Sequence, residues 1–281
     1  MLTWNGRLLF VRRSAATFLL RTMVILAWQA AFSAGDPAFR RSLGSAPAVA
    51  TSFALPIGTI LPIRLQDTIS ITEAKRGQSI TAKIAQTVPL PSGEKIPLKS
   101  DVTGSITAIE PDNEGSGVRV SIQINQLETR KQTVKFTAYL RAIASYNAVR
   151  TAQIPLTGPD GGTPNGWGNT VQIGGDVRFG DGGMVRGPGK KKVGKAVFGG
   201  VLVHVLANPA LGCDGTVNGD DHPQALWVFS SNACGTYDLR DVKISHTGKG
   251  APVGEFTLYF EKKDMKLEGG TAMLLRVISP E

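Results

Sequence analysis

The stretch Gly58–Glu110, GTILPIRLQDTISITEAKRGQSITAKIAQTVPLPSGEKIPLKSDVTGSITAIE, decides the fold class. Ile80, Ala82, Ile84, Gln86 and Val88 alternate with Ser79, Thr81, Lys83, Ala85 and Thr87, the period of a strand with one face on a core and the other toward water. Val102, Gly104, Ile106 and Ala108 repeat it. Arg76-Gly77, Pro91-Ser92-Gly93 and Lys99-Ser100-Asp101 separate the runs, and these residue types end a ladder and turn the chain. An all-β fold follows, an antiparallel barrel or sandwich built on a meander.

Working outward, Val118–Ile124 alternates cleanly, Glu128–Gln132 is a charged turn, and Thr133–Leu140 is the return strand, so 117–140 reads as a hairpin. Further strands are expected at Leu226–Phe229, Tyr237–Ile244, Glu255–Phe260 and Ala272–Ile278, with a polar turn at Asp264–Gly270. There is no strict internal repeat and no heptad run, which removes solenoids and coiled coils.

Residues 158–200 hold 15 of the chain's 33 glycines, which raises the entropy cost of a regular backbone and predicts a long loop or an inserted segment. The apolar run Val197–Ala207 follows, preceded by Lys190, Lys191, Lys192 and Lys195. It is too short to cross a bilayer as one helix, and it reads as a buried strand or short helix. The alternative is membrane contact through 190–207, lysines on headgroups and apolar side chains below.

At the other end, Arg7, Arg12, Arg13 and Arg21 precede the apolar Thr22–Ala34, the layout of an export signal over residues 1–33. Cleavage is expected after Ser33, with Ala34 and Gly35 as near alternatives and an uncleaved anchor as the rival. Residues 34–54 then form a flexible tether. The remaining order is a β-meander domain at 55–157, a Gly-rich insertion with the apolar run at 158–212, and a C-terminal β segment at 213–281. Removing the four arginines from the formal charge of +9 leaves +5. The basic residues are scattered and lack interleaved aromatics, which argues against nucleic acid as a partner.

The markers Gly58-Thr59-Ile60-Leu61-Pro62, Gly77-Gln78, Thr81-Ala82, Val88, Ile96-Pro97 and Gly104 are similar in order and spacing to the C-terminal β-barrel domain of the TrbI/VirB10 family of conjugation and type IV secretion proteins. The likeness covers roughly residues 55–140, and the chain also looks like a class of exported β proteins of soil bacteria. The family resemblance implies an envelope channel or scaffold subunit with a membrane-reaching insertion on its barrel. The chain lacks the cytoplasmic segment and proline-rich spacer usual in that family.

No catalytic constellation emerges. Gly189–Ala196 nearly spells a phosphate-binding loop, but Ala196 stands where the magnesium-holding hydroxyl belongs. Asp214–Asp221 resembles a calcium loop without its closing glutamate, since Ala225 occupies that place. His204, His222, His246, Cys213 and Cys234 lack zinc spacing. Glu255 and Glu261 share a strand face about 20 Å apart and cannot bracket one bond. No Gly-x-Ser-x-Gly elbow occurs. The reading is therefore an exported, non-enzymatic envelope protein of the periplasm or cell envelope, with no cofactor and no metal, whose partners are envelope proteins or surface polymers. Its rivals are a pore-forming or secretion-channel component, and a carbohydrate-binding module or glycan-active enzyme with Trp227, Tyr237 and Tyr259 as stacking faces. Cys213 and Cys234, an even pair in an exported chain, are expected to form a disulfide.

Overall fold

The computed structural model describes residues 54–112, 117–130, 132–153, 172–175, 177–179, 183–206, 219 and 222–280. The expected signal and the tether up to residue 53 lie outside them. In chain order the first strands are β1 (Ile60–Leu65), β2 (Ile69–Ser70), β3 (Ser79–Ile84), β4 (Val88–Pro89), β5 (Lys95–Ile96), β6 (Asp101–Pro111), β7 (Val118–Glu128) and β8 (Thr133–Ala144). Helix α1 (Tyr146–Gln153) follows, then β9 (Val177–Phe179), β10 (Met184–Arg186), β11 (Lys192–Val197), β12 (Gly200–Val203) and β13 (Gln224–Ala225). The chain continues with β14 (Gly235–Tyr237), β15 (Val242–His246), β16 (Glu255–Phe260), β17 (Lys266–Leu267) and β18 (Ala272–Pro280).

Six strands close on themselves in the order β8-β18-β1-β3-β6-β7, and β7 returns to β8. Every contact in this ring is antiparallel. The alternation read from Gly58–Glu110 is the barrel's inside and outside. Ile63, Leu65, Ile80, Ala82, Ile84, Val102 and Ile106 meet Phe136, Phe256 and Met273 in the first core. β7 forks: Gln126–Glu128 pair with β8, whereas Val118–Gln123 pair with β16. The hairpin β15–β16 fills the gap this opens, and the Leu140 N–H closes it by donating to the Thr247 carbonyl at 2.8 Å.

The second layer is a five-stranded sheet, β13-β12-β11-β10-β9, laid with α1 against the outside of the barrel. Val185, Val193, Val201, Val203, Leu226 and Phe229 pack there on Ile60, Ala142, Ala144, Ala272 and Leu274 of the barrel wall. β1, β8 and β18 are thus buried on both faces, which is why ILPIRL and AMLLRVISP read as nearly continuous apolar runs. A register shift between Leu274 and Leu275 leaves Arg141 as an extra residue in β8. Arg141 is buried, and it donates to the carbonyls of Ala233 at 2.8 Å, Ser231 at 3.1 Å and Leu206 at 3.3 Å, anchoring the loops around the second sheet.

Several expectations need correction. The Gly-rich region 158–200, read as a long loop or an inserted segment, has β9, β10, β11 and the first residue of β12 among its described residues, its glycines there serving as turns and as points of close approach between strands. The apolar run from Val197 is not one strand but parts of two, turning at Phe198-Gly199 where Gly199 takes φ 77°. Leu226–Phe229 is not a strand: Trp227 has φ 52°, and the Phe229 N–H donates to the Leu226 carbonyl at 2.9 Å, so this apolar run is a turn enclosed in the second core. Tyr237–Ile244 breaks at Asp238, φ 53°, into β14, parallel to β8, and β15, antiparallel to β16. Helix α1 was not foreseen in a chain read as wholly β. Ser145 caps it, its Oγ accepting from the Ala148 N–H at 3.0 Å, and Val149 and Ala152 seat it on the second core. The boundary expected near 157 also divides strands of a single barrel, since β18 pairs with both β1 and β8.

Candidate functional site

The outward positions of four neighbouring barrel strands form one row of charge. Arg64 on β1 lies opposite Lys83 on β3, Lys83 opposite Asp101 on β6, and Asp101 opposite Glu128 on β7. Their sequence neighbours Ile63, Leu65, Ala82, Ile84, Val102 and Leu127 point into the core, so the pleat sends these four outward. The row reads positive, positive, negative, negative. Lys83 Nζ and Asp101 Oδ1 pair at 2.6 Å across the middle, while the two ends place like charges side by side. Directly opposed like charges on a sheet are unfavourable.

Two clefts lie over this row, with the turn before β6 between them. The first, about 440 Å³, is lined by Arg64, Gln66, Lys83, Lys99 and Gln153, and by Trp227 and Gly199 from the second layer. The second, about 370 Å³, is lined by Pro97–Asp101 and by Glu128, Thr129 and Arg130. Both volumes fall in the range of small-ligand sites. Lys99, which borders both, holds φ 68°, and Trp227 holds φ 52°. The left-handed region costs a non-glycine residue roughly 1–2 kcal/mol, so the surrounding structure must impose it. At Lys99 it is imposed by the turn: its N–H donates to the Ile84 carbonyl at 2.8 Å, and Ser100 Oγ donates to the Pro97 carbonyl at 2.9 Å.

At Trp227 the constraint is Gln86, a buried side chain that follows β3. Its Oε1 accepts from the Trp227 N–H at 2.6 Å, and its Nε2 donates to the Val201 carbonyl at 2.9 Å. One barrel residue thereby fixes both the turn at 227 and strand β12. Gln224 ties the layers a second time, its Oε1 accepting from the Ile60 N–H at 3.2 Å. Period two marks Gln86 as inward-facing in the sequence; only the fold shows that it crosses between layers.

The three aromatics expected to stack on a ligand sit apart. Trp227 is 3% exposed and belongs to the second core. The Tyr237 hydroxyl accepts from the Cys234 N–H at 2.9 Å, and burial pushes its phenol pKa up. Tyr259, on β16, donates to Asp112 Oδ2 at 3.1 Å beneath the Arg119 guanidinium, which lies 5.4 Å from the ring centre. The hydrogen bond to Asp112 is the main reason its pKa is raised. Of the three, only Trp227 borders the cleft.

The other candidates have local roles. His222 bonds Gln224 at 2.8 Å, and His246 Nε2 lies 3.3 Å from the Pro252 carbonyl. No group of three metal-ligating side chains occurs among the described residues. Glu261 pairs with Lys243 at 2.7 Å, raising the lysine's pKa. The near phosphate loop at 189–196 is a short turn running into β11. Most of the Asp214–Asp221 loop and all of Cys213 lie outside the described residues, while Cys234 is buried. In the 190–207 segment Val193, Val201, Val203 and Val205 face the second core. Phe198 is 67% exposed at the hairpin tip, and Lys190, Lys191, Lys192 and Lys195 are exposed. No helix among the described residues is long and apolar enough to cross a membrane.

No protein-family model, curated protein or solved structure matches this chain.

Proposed function

We propose that this is an exported, non-enzymatic β protein of the cell envelope that works as an interaction module, its partner seated in the cleft between barrel and second sheet. The carrying observation is that cleft: two residues at its edge, Lys99 and Trp227, are held in a costly backbone conformation, and Gln86 is buried to hold one of them. Strain kept in place by surrounding bonds concentrates where ligands are clamped.

A secretion-channel subunit, the role implied by the likeness to TrbI/VirB10 barrels, is the second reading. The barrel's interior is filled by side chains such as Ile63, Ile84, Phe136 and Met273, so a conduit would have to form between copies rather than through one barrel. The test is fractionation with N-terminal sequencing and co-sedimentation. A mature N-terminus between residues 32 and 37, release in soluble periplasmic extract and retention by isolated envelope polymer are expected. Recovery from the cytoplasm with Met1 intact overturns the export reading, and release only with detergent turns it toward the channel.

An oxidising location makes the Cys213–Cys234 disulfide part of this proposal. Its loop of about twenty residues corresponds to roughly 3 kcal/mol in the chain-entropy model. Intact mass after alkylation in denaturant without reductant should show no added groups; two added groups refute the bridge.

A further inference from the structure

Resting on the interaction-module reading, we infer that the Arg64–Lys83–Lys99 cleft binds a short carboxylate-bearing glycan. Three of the residues lining it are cations and none carries a carboxylate. Arg64 and Lys83 are register partners, so two like charges are forced onto neighbouring strands of one face. Asp101 on the next strand already pairs with Lys83 Nζ, while Arg64 and Lys99 line the cleft beside it. An anion bridging Arg64 and Lys83 turns that repulsion into attraction, and the charge-assisted bonds it forms are the strong kind.

The remaining lining narrows the anion's carrier. Gln66 and Gln153 are exposed, and each amide offers donors and an acceptor suited to sugar hydroxyls. The one aromatic, Trp227, is 3% exposed, so the cleft has no platform on which bases could stack, which disfavours nucleic acid. Beyond the turn at Pro97–Ser100 the row changes sign, and Asp101 and Glu128 line the neighbouring cleft. That cleft sets its two carboxylates against Lys99 and Arg130, so a polyanion running on in that direction gains no net attraction. The site therefore takes a short acidic segment, and its affinity stops growing once the ligand carries about as many carboxylates as the cleft has cations.

Calorimetric titration of the purified protein with oligogalacturonates of graded length tests this, with uncharged galactose oligomers and anionic phospholipid vesicles as comparison arms. Expected is salt-sensitive binding of the short oligogalacturonates that levels off with length. The double variant Arg64→Gln/Lys99→Gln should weaken it about tenfold or more, the loss of one charge-assisted bond or more. The control Lys191→Gln/Lys192→Gln, equal in charge but on the exposed turn into β11, should leave it unchanged. Lys99→Gly removes a cation while relieving its left-handed strain, so it reports binding even if the double variant folds poorly. Equal loss in the control, equal binding of the neutral oligomer, preference for the vesicles, or no binding at all overturns the ligand class. Retention on isolated envelope polymer without oligogalacturonate binding overturns the ligand class alone; loss of both overturns the module as well.

Discussion

Barrel and second sheet are both antiparallel, both bury valines and both turn on glycines such as Gly77 and Gly199, yet the second sheet places more of its glycines inside strands. Before the barrel strand β3, and in the small β4–β5 hairpin beside the barrel, Gly77 and Gly93 sit in turns at φ 81° and 86° with open space where a Cβ would go. In the second sheet, Gly194 and Gly200 lie inside strands: a Cβ at Gly194 would run into the Leu202 carbonyl, and one at Gly200 into the Gln86 amide and the Trp227 backbone. The first kind of glycine shapes its own chain, and the second makes room for another. Gly104, where a Cβ would strike the Gln123 carbonyl beside a register shift, is the barrel's one strand glycine of the second kind among those described.

Substitutions of decreasing severity separate the two layers. Phe136→Ala, in the first core, should cost about 3–5 kcal/mol and lower the denaturant midpoint. β8 carries Phe136 inward and Ala142 and Ala144 outward, so both layers should lose exchange protection together. Protection of β11 and β12 that survived barrel unfolding would show two independent units. Gln86→Leu leaves the Trp227 N–H without its partner and takes one of two donors from the Val201 carbonyl, which keeps the Leu226 N–H, for a loss of roughly 1–3 kcal/mol. Its exchange effects should centre on β12 and the 226–229 turn; an unaltered pattern there would remove Gln86 as the tie. Gly200→Ala, an overpacking of the same junction, should cost about 1–3 kcal/mol with the same footprint. A neutral result would mean that this glycine is there for flexibility after all.

The mildest effect is alkaline. Burial raises the Tyr237 pKa above 10.0, because the charged phenolate is poorly solvated beside β8. The neutral phenol's contribution to stability is therefore complete below pH 10.0 and is lost as pH rises through the raised value. Ultraviolet titration should find late phenols from both Tyr237 and Tyr259, and Tyr237→Phe should remove one of the two while its stability falls less steeply in alkali.

What the sequence disclosed follows the same division. Strands with one face in water, β3, β6, β7 and β16, announce themselves by alternation, and the turns at Gly77, Gly93 and Lys99 stand where residue type put them. In the second layer the cues mislead. Gly194 and Gly200 imitate a loop, and Leu226–Phe229, apolar because both layers enclose it, imitates a strand. The charge row is written plainly at Arg64, Lys83, Asp101 and Glu128, but register alone makes those four residues neighbours. Pairing between distant strands leaves no local trace.

The ring of the barrel has a consequence for how the chain is made. Ile60 pairs with Arg276, 216 residues later, so the first barrel strand has no partner on that edge until the final one is synthesised. At roughly 5–20 residues per second, that wait is about 10–40 s. Throughout it, that edge of the apolar β1 stands open to solvent and to other nascent copies. The newborn chain is therefore most in need of a chaperone just before β18 emerges, because the ring cannot close without it.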